Sequence, residues 1–415
     1  MIRGDRPLHV VFAGHVDHGK TTLIGRLLTE TGSLPEDRIA ETLRAARDLA
    51  SDNELTFITD QLEEERRLNI TLDTCQIPFR TRKRAFIIID APGHLALVKN
   101  MLTGASAAEA AVLIVSAPDG ILEQTRRHAF VLGFLGIRTI LVVLNKMDLV
   151  HYDPAVYARI QTETEDLVRR AGSTMAACVP VSARTGQNVV RRAAETPWYK
   201  GPTVIEALEA IRVPAAAKKK NDAILPIQDV YSLDGERIAV GRVVSGTFRC
   251  GQRLFLEPGG RAATLGKIRL FGSAPDSAAT GENIGILLAE PDIAPVRGQA
   301  LAASPSALES ADELDARIFW IGPEPLLPGT PLLWKCCTQE VPCRVTRIFE
   351  RTDSATLETS RDTSSELLPN ESGEVRIQMD RKVWLGRGGG SELERFALEK
   401  NGLLQGCGYP RRSKC

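Results

Sequence analysis

The stretch GHVDHGKTTL, Gly14 to Leu23, constrains this chain most, because it follows the apolar run Val10-Val11-Phe12 and leads into a helix-like segment. A glycine, four residues and then Gly-Lys-Thr between a strand and a helix make a loop whose backbone N–H groups can wrap a phosphate chain. Glycine permits the close turn, and a helix N-terminus favours anions. Gly14, His15, Val16, Asp17, His18, Gly19, Lys20, Thr21 and Thr22 are therefore the expected phosphate cradle. In it Lys20 neutralises β/γ oxygens and the Thr21 hydroxyl binds Mg²⁺.

The surrounding pattern predicts the fold that such a loop needs. From Leu8 to about Ile211, apolar β-rich runs (LHVVFAG, AFIIIDAPG, AAVLIVSAP, TILVVLNKMD, ACVPVSA) alternate with helix-like stretches, one of them beginning at Gln124. Buried strands followed by helices imply an α/β domain with a doubly wound, mostly parallel sheet, whose chemistry lies in the loops after the strands. The segment VPAAAKKKND breaks the pattern and reads as a linker. Beyond it, short strand-like runs with glycine turns predict two β-barrel domains. The expected divisions are 1–213, a linker at 214–222, then 223–303 and 304–415.

Composition narrows the function classes. Lys+Arg and Asp+Glu both number 52, so overall charge gives no bias toward nucleic acid, and an RNA partner is not expected. No apolar run reaches membrane-spanning length, and the N-terminus has no signal-peptide pattern. Eight scattered cysteines without a Cys-x-x-Cys pair are expected to be reduced thiols in a cytoplasmic protein.

The phosphate loop alone does not choose between ATP and GTP; NKMD, Asn145 to Asp148, does. The Asp148 carboxylate accepts from guanine N1–H and the exocyclic amino group. Adenine offers neither donor in that arrangement and would leave the carboxylate unpaired. Asn145 can add a contact on the other edge, and the Lys146 stem can lie over the purine. Ser182-Ala183 fits a third base-proximal loop whose backbone can reach guanine O6. In DAPGH, which follows FIII, Asp90 at a strand end can hold Mg²⁺ through water, the Gly93 amide can sense the γ-phosphate, and His94 is placed to orient the attacking water.

The ordered set GHVDHGKT, DAPGH, NKMD and SA resembles the translation-factor class of GTPases, which includes elongation factor Tu. The resemblance implies GTP and Mg²⁺ as cofactors and an elongation factor Tu-like architecture. It also implies that Thr71 of RRLNIT is a switch threonine that closes over the nucleotide and metal, and that Asp17 holds a monovalent cation beside the phosphates. Asn69 stands where the family usually has glycine, and asparagine tolerates the same left-handed geometry.

Within that class, three phrases resemble the regulatory GTPase subunit of bacterial sulfate adenylyltransferase: TLIGRLLTETG, GILEQTRRHAFVLGFLGI and LPIQDVYSLDGERIAVGRVVSG. FITDQLEEERRLNITLD and TPWYKGPTVIEALEAI resemble both that subunit and archaeal and eukaryotic elongation factors. The expectation is a GTP hydrolase that drives adenylyl sulfate synthesis from ATP and sulfate, in a heteromer with a separate catalytic, adenylyl-transferring subunit. The alternative is an elongation-factor-like GTPase that delivers an aminoacylated RNA or acts on the ribosome. His18 and Thr21 favour the alternative, because the sulfate subunit usually has aspartate and serine there.

Overall fold

The computed structural model describes residues 6–15, 17–33, 75–90, 108–212, 222–233, 235–270, 273–361, 365–387 and 393–411. The segment from Pro35 to Thr71, which includes FITDQLEEERRLNIT, lies outside them, as do Val16, Gly93 and His94. The chain forms two compact units.

The first unit is the expected α/β layer. Strands β1 (Leu8–Gly14), β2 (Cys75–Arg80), β3 (Ala85–Asp90), β4 (Ala110–Ser116), β5 (Thr139–Asn145) and β6 (Thr174–Pro180) make one sheet in the order β2-β3-β1-β4-β5-β6. Every neighbour pair is parallel except β2–β3. All seven residues of β4 are buried, as a strand covered on both faces requires. Helices α1 (Lys20–Glu30), α2 (Glu123–Phe134), α3 (Pro154–Arg170) and α4 (Val204–Ala210) complete the layer. The α1 side chains Leu23, Ile24, Leu27 and Leu28 join Leu8, Val10 and Phe12 of β1 in one buried cluster with Val204 and Leu208 of α4. Strand order reverses at β1, which lies between β3 and β4. The carboxyl ends of these strands at such a reversal are where an open α/β sheet binds its ligand.

The second unit is all β. Strands β7 (Ile224–Pro226), β8 (Asp229–Leu233), β9 (Glu236–Arg242), β11 (Arg253–Glu257), β12 (Arg261–Arg269), β14 (Asn283–Leu288) and β15 (Ala300–Ala302) run in the order β7-β15-β11-β12-β14-β9-β8, beside a ribbon of β10 (Thr247–Arg249) and β13 (Ser277–Ala279). Backbone bonds Ile224 N to Ser245 O at 3.1 Å and Val244 N to Ile224 O at 2.9 Å bring the two sides of this sheet together. The other sheet holds β16 (Leu308–Trp320), β17 (Pro331–Cys336), β18 (Gln339–Asp353), β19 (Thr359–Ser360), β20 (Glu371–Gly386), β21 (Phe396–Lys400) and β22 (Leu403–Pro410). It runs β17-β21-β22-β16-β20-β18-β19, and β17 also pairs with β18, which closes it into a barrel. Closure removes the unpaired edges that an open sheet would expose. Ile224, Ala300 and Ala302 pack with Leu308, Trp384 and Leu393 in a cluster shared by the two sheets, and Trp384 Nε1 donates to Gly298 O at 2.7 Å.

Candidate functional site

The site is built where β1, β3, β4, β5 and β6 end. The chain leaves β1 at Gly14, whose close approach to β4 explains the residue: a Cβ there would lie 3.0 Å from Ile114 O. Asp17 and Gly19 both have positive φ, 65° and 84°, so the loop turns back on itself before α1 begins at Lys20. A Cβ on Gly19 would run into the Asn145 side-chain amide. The two glycines therefore let the loop pack directly against β4 and Asn145. Thr21 is partly exposed at the start of α1, and Thr22 is buried.

The charged groups converge at the same edge. Lys20 Nζ lies 2.8 Å from Asp90 Oδ1, which brings the loop cation and the acid at the end of β3 together; Asp90 is only 7% exposed. His18 is buried, its Nδ1 3.3 Å from Ile114 O and its Nε2 3.9 Å from Asp119 Oδ2. A carbonyl partner requires the Nδ1–H tautomer. Burial is the main cause that pushes the His18 pKa below its ordinary value, with the bond to Ile114 acting the other way. His15 stacks obliquely on it at 5.2 Å between ring centroids.

The base-side residues lie close together, and Asn145 also makes contacts within the protein that its sequence motif does not announce. Its Nδ2 donates to His18 O at 2.8 Å, and its Oδ1 accepts from Ala183 N at 2.9 Å. Both ends of the amide thus face protein backbone, and the side chain is a strut joining the phosphate loop to the Ser182-Ala183 loop. Lys146 has φ 62° and caps a short 3₁₀ turn, Met147–Val150, that carries the partly exposed Asp148. Met147 N donates to Val181 O at 3.1 Å, which ties this turn to the residue before Ser182. Ser182 and Ala183 are fully buried or nearly so.

Two supporting residues escape the sequence reading. Asn188 is buried and orders the segment after the Ser182 loop: it donates to Pro180 O and Thr196 Oγ1, both at 2.9 Å, and accepts from Ala193 N at 2.8 Å. Arg26, on α1, donates from Nε to Ala183 O at 3.1 Å and also reaches Arg184 O. No local motif marks either residue; their partners are set by the fold.

Comparison with known proteins follows the same division. The family model described as "Elongation factor Tu GTP binding domain" matches residues 5–218, more than half of the chain, and "GTP-eEF1A C-terminal domain-like" matches 313–403. Elongation factor 1-alpha of Pyrococcus furiosus is 37% identical over 367 residues, 85% of each chain. The protein of the same name from Methanopyrus kandleri is 35% identical over 393 residues, 91% of this chain and 90% of its own, and that of Thermococcus gammatolerans is 45% identical over 252 residues, 60% and 58%. This chain belongs to the elongation factor Tu/1-alpha family of GTPases. Members of that family bind GTP and Mg²⁺. The residues present fit those ligands: a loop turned by Gly14 and Gly19 into the N-terminus of α1, and a lysine and an aspartate side by side at that edge.

The family assignment corrects the expected pathway. A sulfate adenylyltransferase role, with a catalytic adenylyl-transferring partner, is overturned by relatives named elongation factor 1-alpha that match most of the chain. One of the three phrases that suggested it, GILEQTRRHAFVLGFLGI, is largely α2, where Ala129 to Phe134 are all buried and a Cβ on Gly133 would strike Ala171 O. Burial of this face and the close approach of Gly133 to Ala171 account for its apolar and small residues by packing, which is independent of any coupled reaction. The expectation against a nucleic-acid partner falls with it. Net charge is a sum over the chain, whereas Arg297, Arg381 and Lys382 line a single cleft of about 280 Å³ in the second unit. Among the described residues no helix is long and apolar enough to cross a membrane.

Proposed function

We propose that this protein is a GTP-hydrolysing translation factor that holds an aminoacylated RNA in its GTP state and releases it on the ribosome after hydrolysis. The observation that carries this reading is that the likeness to elongation factor 1-alpha extends through the β unit as well as the nucleotide-binding unit. The cationic cleft lined by Arg297, Arg381 and Lys382 supports it, since phosphodiester contacts dominate RNA affinity. The reading places the protein in the cytoplasm and divides it at 1–213, 223–303 and 304–415, with 214–222 as linker.

In this reading the backbone amides from Gly14 to Thr21, Val16 included, cradle the phosphates, and Lys20 moves its charge from Asp90 to the β/γ oxygens. Thr21, Asp90 and Thr71 are the residues to hold Mg²⁺, which supplies positive charge to those oxygens when bound. Asp17, within the loop, holds a monovalent cation beside the phosphates. Asp148 selects guanine by accepting from the base's N1–H and exocyclic amino group, and Ser182-Ala183 approach O6. Asn145 keeps the base and phosphate elements in register. His94 orients the attacking water, and Gly93 and Thr71 respond to the γ-phosphate.

Filter binding of a radiolabelled aminoacylated RNA to the purified chain tests the reading. Retention is expected with a non-hydrolysable GTP analogue, to fall with GDP, and to weaken steeply with salt. Equal retention in both nucleotide states, together with GTP turnover that ignores ribosomes, would exclude it.

A further inference from the structure

Arg26 lies on α1, on the phosphate side of the site, yet its guanidinium is spent on the base side. Nε donates to Ala183 O at 3.1 Å, one terminal nitrogen reaches Arg184 O, and the other lies 3.6 Å from Glu30 Oε1. The side chain is only 22% exposed, and that of Glu30 24%. The loop it grips is closed by Gly186 N to Ser182 O at 2.8 Å and Ser182 N to Gln187 O at 3.3 Å. Gly186 has φ 84°, and a Cβ on it would lie 2.6 Å from Glu30 Oε1 and 3.5 Å from Arg26 Cδ. The glycine thus leaves the space in which the Arg26–Glu30 pair tucks beneath the loop.

A peptide unit is planar, and its C=O and N–H point in opposite directions. Pinning the Ala183 carbonyl therefore fixes the Arg184 N–H on the opposite side of the same plane. The Ala183 N–H is already taken by Asn145 Oδ1. Among the described residues no acceptor takes the Arg184 N–H. We propose that Arg26 is a positioning residue for guanine recognition: by gripping the Ala183 and Arg184 carbonyls from α1, it aims the Arg184 N–H at guanine O6. The proposal rests on the GTP reading and adds to it a physical link between the phosphate helix and the base loop, across 157 residues of sequence.

The test compares GTP with 6-thio-GTP, whose sulfur at position 6 is a poor acceptor, on the full-length wild type, Arg26→Met and Arg26→Lys with Mg²⁺ present. Wild type is expected to prefer GTP. Arg26→Met is expected to lose about tenfold in GTP affinity, the worth of roughly one well-aimed hydrogen bond, and far less for 6-thio-GTP, so that the preference collapses. Arg26→Lys, whose ammonium can still hold one carbonyl, is expected to regain part of it, and it supplies the comparison if the methionine variant does not fold. Equal losses on both nucleotides, or no loss on either in a folded variant, would overturn the role of Arg26. A wild type that binds neither nucleotide would instead refute the GTP reading.

Discussion

At the scale of single residues, the site depends on a few atoms with no substitutes. Replacing Asp148 by Asn turns one acceptor into a donor facing a guanine donor. GTP affinity is expected to fall by roughly two orders of magnitude or more, with binding of xanthosine triphosphate rising, as read by nucleotide titration. Gly19→Ala combines a left-handed φ with a collision at the Asn145 amide, so nucleotide binding is expected to be lost while the sheet still folds, which circular dichroism beside a titration would show. His18 gives a pH signature. Because burial lowers its folded-state pKa below 6.5, the unfolded chain takes up the proton first on acidification. The stability held by neutral His18 is complete above pH 6.5 and is lost as pH falls through that value toward the folded pKa. His15, Asp119 and Lys146 act on the same ring, and His18→Gln should flatten this part of the denaturation profile relative to wild type. A slope unchanged by the substitution would assign the pH dependence elsewhere.

At the scale of elements, local signals and packing agree where the chain is most regular. Helix α4 begins with Thr203, whose side chain accepts from Glu206 N at 3.2 Å while Glu206 Oε2 accepts from Thr203 N at 2.9 Å, a reciprocal cap written in the sequence as Thr-x-x-Glu before an apolar run. Thr203→Ala should lower stability by about 1 kcal/mol in urea denaturation, with nucleotide affinity kept. Helix α2 is the opposite case. Its sequence predicts a helix correctly, but the same residues suggested a sulfate-pathway partner, although the buried ones among them answer to packing against the rest of the layer.

At the scale of the whole chain, one side chain of the second unit stands where its two sheets share a cluster. Trp384 is fully buried, joins the cluster that both sheets share, and donates to Gly298 O across it. Trp384→Ala should cost about 3–5 kcal/mol and split the unfolding of this unit into two transitions by calorimetry, with GTP affinity within twofold of wild type. A single transition shifted by less than a degree would show that the cluster does not couple them.

The sequence by itself determined the glycine-rich loop between β1 and α1, the alternation of strand and helix and the change to β texture in the second half of the chain, and it named Asp148 as the candidate for guanine selection. Each of these is a local matter, since a glycine turn, a carboxylate or a hydrophobic period carries its chemistry within a few residues. Tertiary structure decided what no window of sequence contains: that Asn145 spends its amide on His18 and Ala183, 127 residues and 38 residues away, and that Arg26 holds a loop 157 residues downstream. It also decided that β17 meets β18 and β21 to close a barrel. Such contacts arise because packing, not adjacency, brings strand ends together, and a polar side chain at the meeting point takes whichever backbone groups burial leaves unpaired.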